Sequence, residues 1–352
     1  MNERVRNART TIGFWTLIVA LIALLVLSLA LAVAFGSVRI PLDEVFGIVV
    51  HQWWPGVVDP FWSDARHAIV WDSRLPRGIM AAAVGASLAL AGTSAQAVTR
   101  NPLADPYLLG VSSGAGFGVV CVSILGIGGG MLGQVTTPVA AFVGGMVPLL
   151  LAVVIGGRFG DPTMMGLVGV AVSAIFSALT TFVLLVIADE HQLANVMRWQ
   201  TGSFGDAAWD GTWPVLISTI VVGGLLLATS RRLDLLHAGD DGAAALGLDV
   251  RRFRLVQLVF VSLLAGMSVA AAGGIGFVGL IVPHVAGFFV GTIARRQLPA
   301  SALIGACALV LADLLSRAVS ATLAVPVGVV TALVGAPAFL WLLIRQYARR
   351  AQ

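Results

Sequence analysis

Two glycine-rich strings in this chain have the form of reactive or cofactor-binding motifs. Gly110-Val111-Ser112-Ser113-Gly114 fits G-x-S-x-G, in which a serine on a sharp strand-to-helix turn becomes a nucleophile once a histidine and an acid complete a triad. Gly274-Ile275-Gly276-Phe277-Val278-Gly279 fits G-x-G-x-x-G, whose glycines bring a helix N-terminus against a pyrophosphate inside a βαβ unit. Neither string has the flanking pattern its chemistry needs. Gly110, Gly114 and Gly118 recur every four residues, as do Gly287 and Gly291, and that spacing lets helix backbones approach closely in a membrane. Packing is therefore the expected role of both.

The remaining candidates are few. Asp313 and Arg317 stand four apart, on one face of a helix, as a structural ion pair or as functional charges. His284 follows Pro283 with no neighbouring carboxylate or thiol, which favours a packed imidazole over a metal ligand. All 21 basic residues are arginine. A Walker A loop needs its lysine on the terminal phosphates, so any ATP must be handled by another subunit. Cys121 and Cys307 each lie inside an apolar run, suggesting neither a disulfide framework nor a thiolate site. No cofactor, metal or nucleic-acid partner is expected.

The elements that hold these residues follow from composition. Of 352 residues, 58% are hydrophobic and 11% charged, with a mean hydropathy of +0.97, against about 25% charged in a soluble domain. The chain therefore reads as an all-α polytopic membrane protein. At about 20 residues per crossing, the sequence places ten spans in one transmembrane domain covering 1–352, at about 12–35, 75–98, 108–125, 135–155, 164–188, 212–229, 253–272, 277–294, 299–317 and 327–344. The first apolar run is too long for a secretory signal. Ten spans with both termini in the cytoplasm put fifteen of the 21 arginines inside, as the positive-inside rule requires. Arg39, Arg66, Arg74, Arg77, Arg198 and Arg317 fall outside.

Two segments between spans stand out. Residues 37–73 carry Trp53, Trp54, Trp62 and Trp71 among five carboxylates, which favours a loop lying at the outer headgroup level over an aromatic box that grips substrate. On the inner side, residues 237–250 read HAGDDGAAALGLDV. This is expected to be a short cytoplasmic helix, with Asp240 and Asp241 capping and charging its start and Gly247 stopping it.

In order along the chain stand Arg74-Leu75-Pro76-Arg77, then Gly92 and Gln96 leading into Asn101-Pro102-Leu103-Ala104-Asp105-Pro106 and Leu109 to Ala115. Gly239 to Gly247, Ile275 to Leu280 with Pro283-His284, and Pro326 to Thr331 with Gly335-Ala336-Pro337 complete the set. With these five blocks the chain resembles the FecCD-type permeases of type II ABC importers for iron-siderophores, haem and cobalamin, and it does so over nearly its whole length. It departs at Gly274, Gly287 and Ala324, where that family usually has proline, arginine and glutamate.

The resemblance implies a multi-pass permease of the bacterial cytoplasmic (inner) membrane that pairs with a second permease subunit, as a homodimer more readily than a heterodimer. Two separate ATPase subunits and an extracytoplasmic substrate-binding protein would complete the machine. The permease itself would not be an enzyme. Its cargo would be an iron chelate, a ferric siderophore first, with haem or cobalamin as alternatives. A non-transporting membrane scaffold or sensor is the competing class.

Arg74, Arg77 and Arg317 would receive the binding protein, and Gly239, Asp240, Asp241, Ala244, Gly247 and Leu248 would couple to the ATPase. Pro162 and Thr163 would narrow the inner gate, where Pro162 replaces the expected hydroxyl.

Overall fold

A computed structural model describes residues 3–36, 38–107, 110–125, 133–156, 162–319 and 325–350. Its helices are α1 (Glu3–Ala34), α2 (Leu42–Trp53), α3 (Asp64–Ala68), α4 (Leu75–Thr99), α5 (Val111–Leu125), α6 (Gly133–Gly156) and α7 (Pro162–Val186). They continue as α8 (Glu190–Gln200), α9 (Trp209–Leu235), α10 (Gly239–Ala245), α11 (Val250–Ala272), α12 (Val278–Val290), α13 (Ala294–Val319) and α14 (Val327–Arg350). Six helical stretches are long and apolar enough to cross a bilayer, and four shorter apolar helices lie in α5, α6, α12 and α14. The ten expected spans fall on these ten elements. The protein is all-helical among the described residues.

α4 sits at the centre. In the apolar part of this helix 83% of residues are buried, against 22% for α1 and α7. The reason lies in its small side chains, since glycines let neighbours come to backbone contact. A Cβ added at Gly85 would stand 2.2 Å from the Gly305 carbonyl oxygen of α13, and one at Gly92 would stand 1.9 Å from that of Gly279 in α12. The string at 110–118 works the same way between α5 and α6. A Cβ at Gly114 would meet the Gly144 oxygen at 2.2 Å, and one at Gly118 the Ala140 oxygen at 2.1 Å. The nucleophile-like motif is thus a helix–helix contact surface.

The second string is a backbone crossing. Gly273 is left-handed at φ +69°, and a Cβ there would lie 2.0 Å from the Trp199 oxygen. At Gly274 it would lie 2.4 Å from the Tyr107 hydroxyl and 2.5 Å from the Gln200 oxygen, so this packing leaves no room for a proline ring there. Gly287 has space: its added Cβ would be 3.4 Å from Gln297 Nε2. Ala324 lies outside the described residues. His284 Nδ1 bonds the Leu280 carbonyl at 2.8 Å, the local contact expected of a packed imidazole.

Buried polar groups tie the bundle. Gln257, fully buried, accepts from Ser94 Oγ at 3.0 Å and donates to Thr229 Oγ1 at 2.9 Å, joining α4, α11 and α9. Gln96 donates to the Gly279 and Leu280 carbonyls, supplying donors to the first turn of α12. In the connection between α4 and α5, burial pushes the Asp105 carboxyl up to about 6, partly offset by the Tyr107 N–H it accepts.

The segment expected to be a surface loop is more ordered than its composition suggested. It folds as α2 and α3, then a π-helical turn, Ile69–Arg74, that runs directly into α4. α2 buries Val45 and Ile48 on one side and exposes Leu42, Phe46 and Trp53 on another. The rings of Trp53, Trp71, Trp209 and Trp213 follow one another at 6.5, 5.1 and 5.5 Å, a row of packed indoles with Trp209 Nε1 donating to the Trp71 carbonyl at 2.8 Å. α8 begins at a capping box in which Asp189 and Gln192 exchange hydrogen bonds.

The contact between α4 and α12 leaves no room for a side chain, so Gly92→Val is expected to cost more than the 1 to 3 kcal/mol typical of overpacking. Thermal unfolding in detergent checks this: a melting temperature within a degree of wild type would contradict the packing account.

Candidate functional site

Two charged clusters occupy opposite ends of α4, and each joins helices that are distant in sequence. The first gathers Arg74, Arg77, Asp313 and Arg317. α1 ends at Ala34, and the last turn of any helix leaves carbonyls without intrahelical partners. Arg74 supplies them: its NH1 donates to the Val33 and Ala34 carbonyls at 2.7 and 3.2 Å, and its NH2 to that of Val38 at 2.6 Å. Gly36 is part of this arrangement, because a Cβ there would lie 2.6 Å from Arg74 NH2. Arg317 adds bonds to the Ala32 and Phe35 carbonyls at 3.0 and 3.2 Å. Cations at a helix C-terminus are also favoured by its dipole.

Asp313, 1% exposed, holds the other half. Arg77 reaches it from α4 through Nε and NH2 at 3.0 and 2.8 Å, a forked contact of the strong kind. Arg317 Nε reaches it along α13 at 3.2 Å. The ion pair anticipated from the i,i+4 spacing is present, and Arg77, 236 residues away in the chain, is the partner that spacing could not indicate. Two guanidiniums therefore hold one carboxylate, and Arg74, within electrostatic reach of Arg317, adds to an excess of positive charge. The three expected docking arginines are together, but Arg74 is 7% exposed and turned inward, while the Arg77 and Arg317 side chains keep 18% and 16% of their surface.

The second cluster surrounds α10. After the 3-10 turn Leu236–Ala238, Gly239 takes φ +84° and α10 begins. Asp240 and Asp241 lie in its first turn, yet neither side chain caps it, which corrects the expected capping role. Asp240 turns instead toward the bundle. It accepts from Arg254 NH1 and NH2 at 2.8 and 2.7 Å and pairs with Arg100 NH2 at 2.9 Å. Gly247, at φ +84°, reverses the chain as expected of a helix stop, and the Leu248 N–H donates to the Ala243 carbonyl at 3.1 Å.

Ala243 is buried, while Asp241, Ala244, Leu246 and Gly247 are exposed. Beside them lies a groove of about 470 Å³ lined by Arg232, Leu246, Leu248, Arg252 and Phe253 among others. The arrangement offers a flat patch of small residues flanked by a basic and apolar recess. It has no nucleophile paired with a base, and among the described residues no group of histidine, cysteine or carboxylate side chains could hold a metal.

Of the expected gate, Pro162 opens α7, the position where its missing N–H costs nothing. Thr163 is in the same turn. Their side chains lie outside the described residues. The sequence shows Arg254 only as one of the arginines flanking residues 237–250 and Arg100 only as cytoplasmic charge, and marks neither as a partner of Asp240. The one local signal was Arg100 preceding Asn101-Pro102, a pattern that ends a helix.

Residues 22–345 match the FecCD transport family. YvrB of Bacillus subtilis, an uncharacterized ABC transporter permease protein, is 37% identical over 98% of this chain and 96% of its own. The Fe(3+) dicitrate transport system permease protein FecC of Escherichia coli is 38% identical over 79% of this chain and 84% of its own. The vitamin B12 import system permease protein BtuC of Salmonella paratyphi A is 37% identical over 88% and 93%. A solved ABC transporter assigned to the metal-chelate type, in an inward-facing conformation, superposes with a TM-score of 0.81 at 29% identity, covering 94% of this chain and 99% of that one.

Removing the shared carboxylate leaves two arginines facing each other in a dry setting. Asp313→Asn is therefore expected to lower stability by about 3 to 5 kcal/mol, and the double variant Asp313→Asn/Arg77→Gln to recover part of it. Thermal unfolding of both in detergent measures the difference; equal melting temperatures for wild type and Asp313→Asn would contradict this role.

Proposed function

The chain belongs to the FecCD transport family, and from that premise we propose that it imports a ferric siderophore as one of two identical permease subunits. At the coarser level it is the permease subunit of an ABC importer, a transport subunit whose ATP is hydrolysed by separate subunits. The observation that carries the reading is the pair of charged clusters joined by α4, one fit to receive a delivering protein and the other a motor. Both termini are assigned to the cytoplasm from the arginine distribution. That puts α10 inside and the Asp313 cluster outside.

On the outer side, Arg77 and Arg317 are proposed to meet acidic residues of the substrate-binding protein. Arg74 acts behind them by fixing the end of α1. On the inner side α10 is proposed to seat in the ATPase through Gly239, Asp241, Ala244, Gly247 and Leu248, with Asp240 holding it to the bundle. The exposed apolar faces of α7, with Leu167, Ile175 and Leu185, and of α14, with Leu333, Val334 and Ile344, are assigned to the second copy and the lipid bilayer. Pro162 and Thr163 form the inner gate in this reading, and alternating access moves the cargo between the two sides. FecC and BtuC, named for ferric dicitrate and vitamin B12, favour an iron chelate or a corrinoid as cargo, and we choose the former.

Proteoliposomes containing the permease, its ATPase and its binding protein are expected to take up radiolabelled ferric siderophore only with ATP, and Thr163→Trp to block that uptake in a normally assembled complex. Uptake of cobalamin but not iron would replace the cargo; uptake of neither under any ATP condition would support the scaffold class.

Docking is tested by removing the exposed cations together with their buried partner. The triple variant Arg77→Gln/Asp313→Asn/Arg317→Gln keeps polar side chains, strands no unpaired Asp313 carboxylate and leaves Arg74 on its backbone carbonyls, and should lose capture of the loaded binding protein while remaining folded. Undiminished complex formation would refute this docking surface.

A further inference from the structure

α10 is seven residues long, too short to be stable alone, so whatever pushes on it moves the bundle only through its attachments. Among those the structure gives are the buried methyl of Ala243, the chain on either side, and the Asp240 carboxylate. That carboxylate is a meeting point of three elements. Arg254 grips both its oxygens from the first turns of α11, and Arg100 grips one from the end of α4.

Arg100 is unusual in its backbone too. It is one of two non-glycine residues with positive φ among the described residues, at φ 50° and ψ 30°, a conformation that is unfavourable for a residue with a Cβ. There it ends α4, with its N–H near the Ala97 carbonyl and the Asn101 N–H on that of Gln96. The left-handed turn delivers the guanidinium to α10, and the residues that follow lead through Asp105 to α5. α4 in turn touches α12 and α13 backbone to backbone.

We propose that the Asp240 carboxylate is the joint through which displacement of α10 enters the bundle, along α11 by way of Arg254 and along α4 by way of Arg100. Asp240, Arg100 and Arg254 are thus positioning residues for transport, and the ATPase touches the exposed side of α10 beyond them. The proposal rests on the reading of α10 as the element that receives the ATPase. A static surface pair is the competing account: Asp240 and Arg100 keep 40% and 36% of their side-chain surface, and such exposed pairs add little to stability. The same weakness means that Asp240→Asn should fold.

The test uses the assembled permease, ATPase and binding protein in proteoliposomes, measuring cargo moved per ATP hydrolysed and ATPase retained on purification. Asp240→Asn is expected to keep the ATPase bound and hydrolysing while the transport ratio falls about fivefold or more. Asp240→Glu, which restores the charge, should recover most of it. Arg100→Gln leaves the forked pair with Arg254 intact and cuts only the α4 route, so it should lower the ratio as well; it also serves if Asp240→Asn assembles poorly.

A wild-type ratio in both Asp240→Asn and Arg100→Gln overturns the joint, and so does release of the ATPase by Asp240→Asn, which would make Asp240 a docking contact. Ala244→Trp tests the underlying reading separately. If that variant retains both ATPase and transport, α10 is not the receiving element, whatever Asp240 does.

Discussion

The rest of this structure depends on backbone-to-backbone contact along α4. In a bilayer, apolar side chains gain little from leaving lipid for protein, so helices associate by close packing and by polar contacts between them. Gly85 against Gly305 and Gly92 against Gly279 bring α13 and α12 to distances no side chain would permit. The same closeness makes Gln96 able to reach two carbonyls of α12 and Gln257 able to bridge three helices. A helix buried to this degree cannot shift without carrying its neighbours.

Charge is placed where that rigidity can be used. A buried carboxylate is expensive unless paired, and Asp313 is paired twice, by Arg77 from α4 and Arg317 from α13. At the other end Asp240 is paired twice, by Arg254 from α11 and Arg100 from α4. Each carboxylate thus ties α4 to a second element by electrostatics that neither element could supply alone. Such an assembly suits a subunit whose work is mechanical, with the energy-yielding chemistry performed on a different polypeptide.

The sequence by itself determined the membrane class, because 58% hydrophobic and 11% charged residues leave no soluble solution. It also determined the ten apolar helices, since hydropathy over a span is a local property that needs no knowledge of neighbours. The absence of lysine settled the lack of a P-loop for the same reason. Family blocks such as Arg74-Leu75-Pro76-Arg77 and Gly239 to Gly247 marked both charged ends. α2, α8 and the π-helical turn were not legible, because their stability comes from contacts such as Val45 and Ile48 against Val70 rather than from a long apolar run.

Only the tertiary structure decided what the charged residues do. Asp240 has the composition of a helix cap, and Arg74 that of an exposed cation; one is an inter-helix tie and the other a buried cap on α1. Their partners lie 14 to 140 residues away for Asp240 and about 40 for Arg74, and spacing rules reach only four or five positions along a helix. A charge declares its sign in the sequence, but its partner is whichever opposite charge or free carbonyl the folded backbone brings within 3 Å.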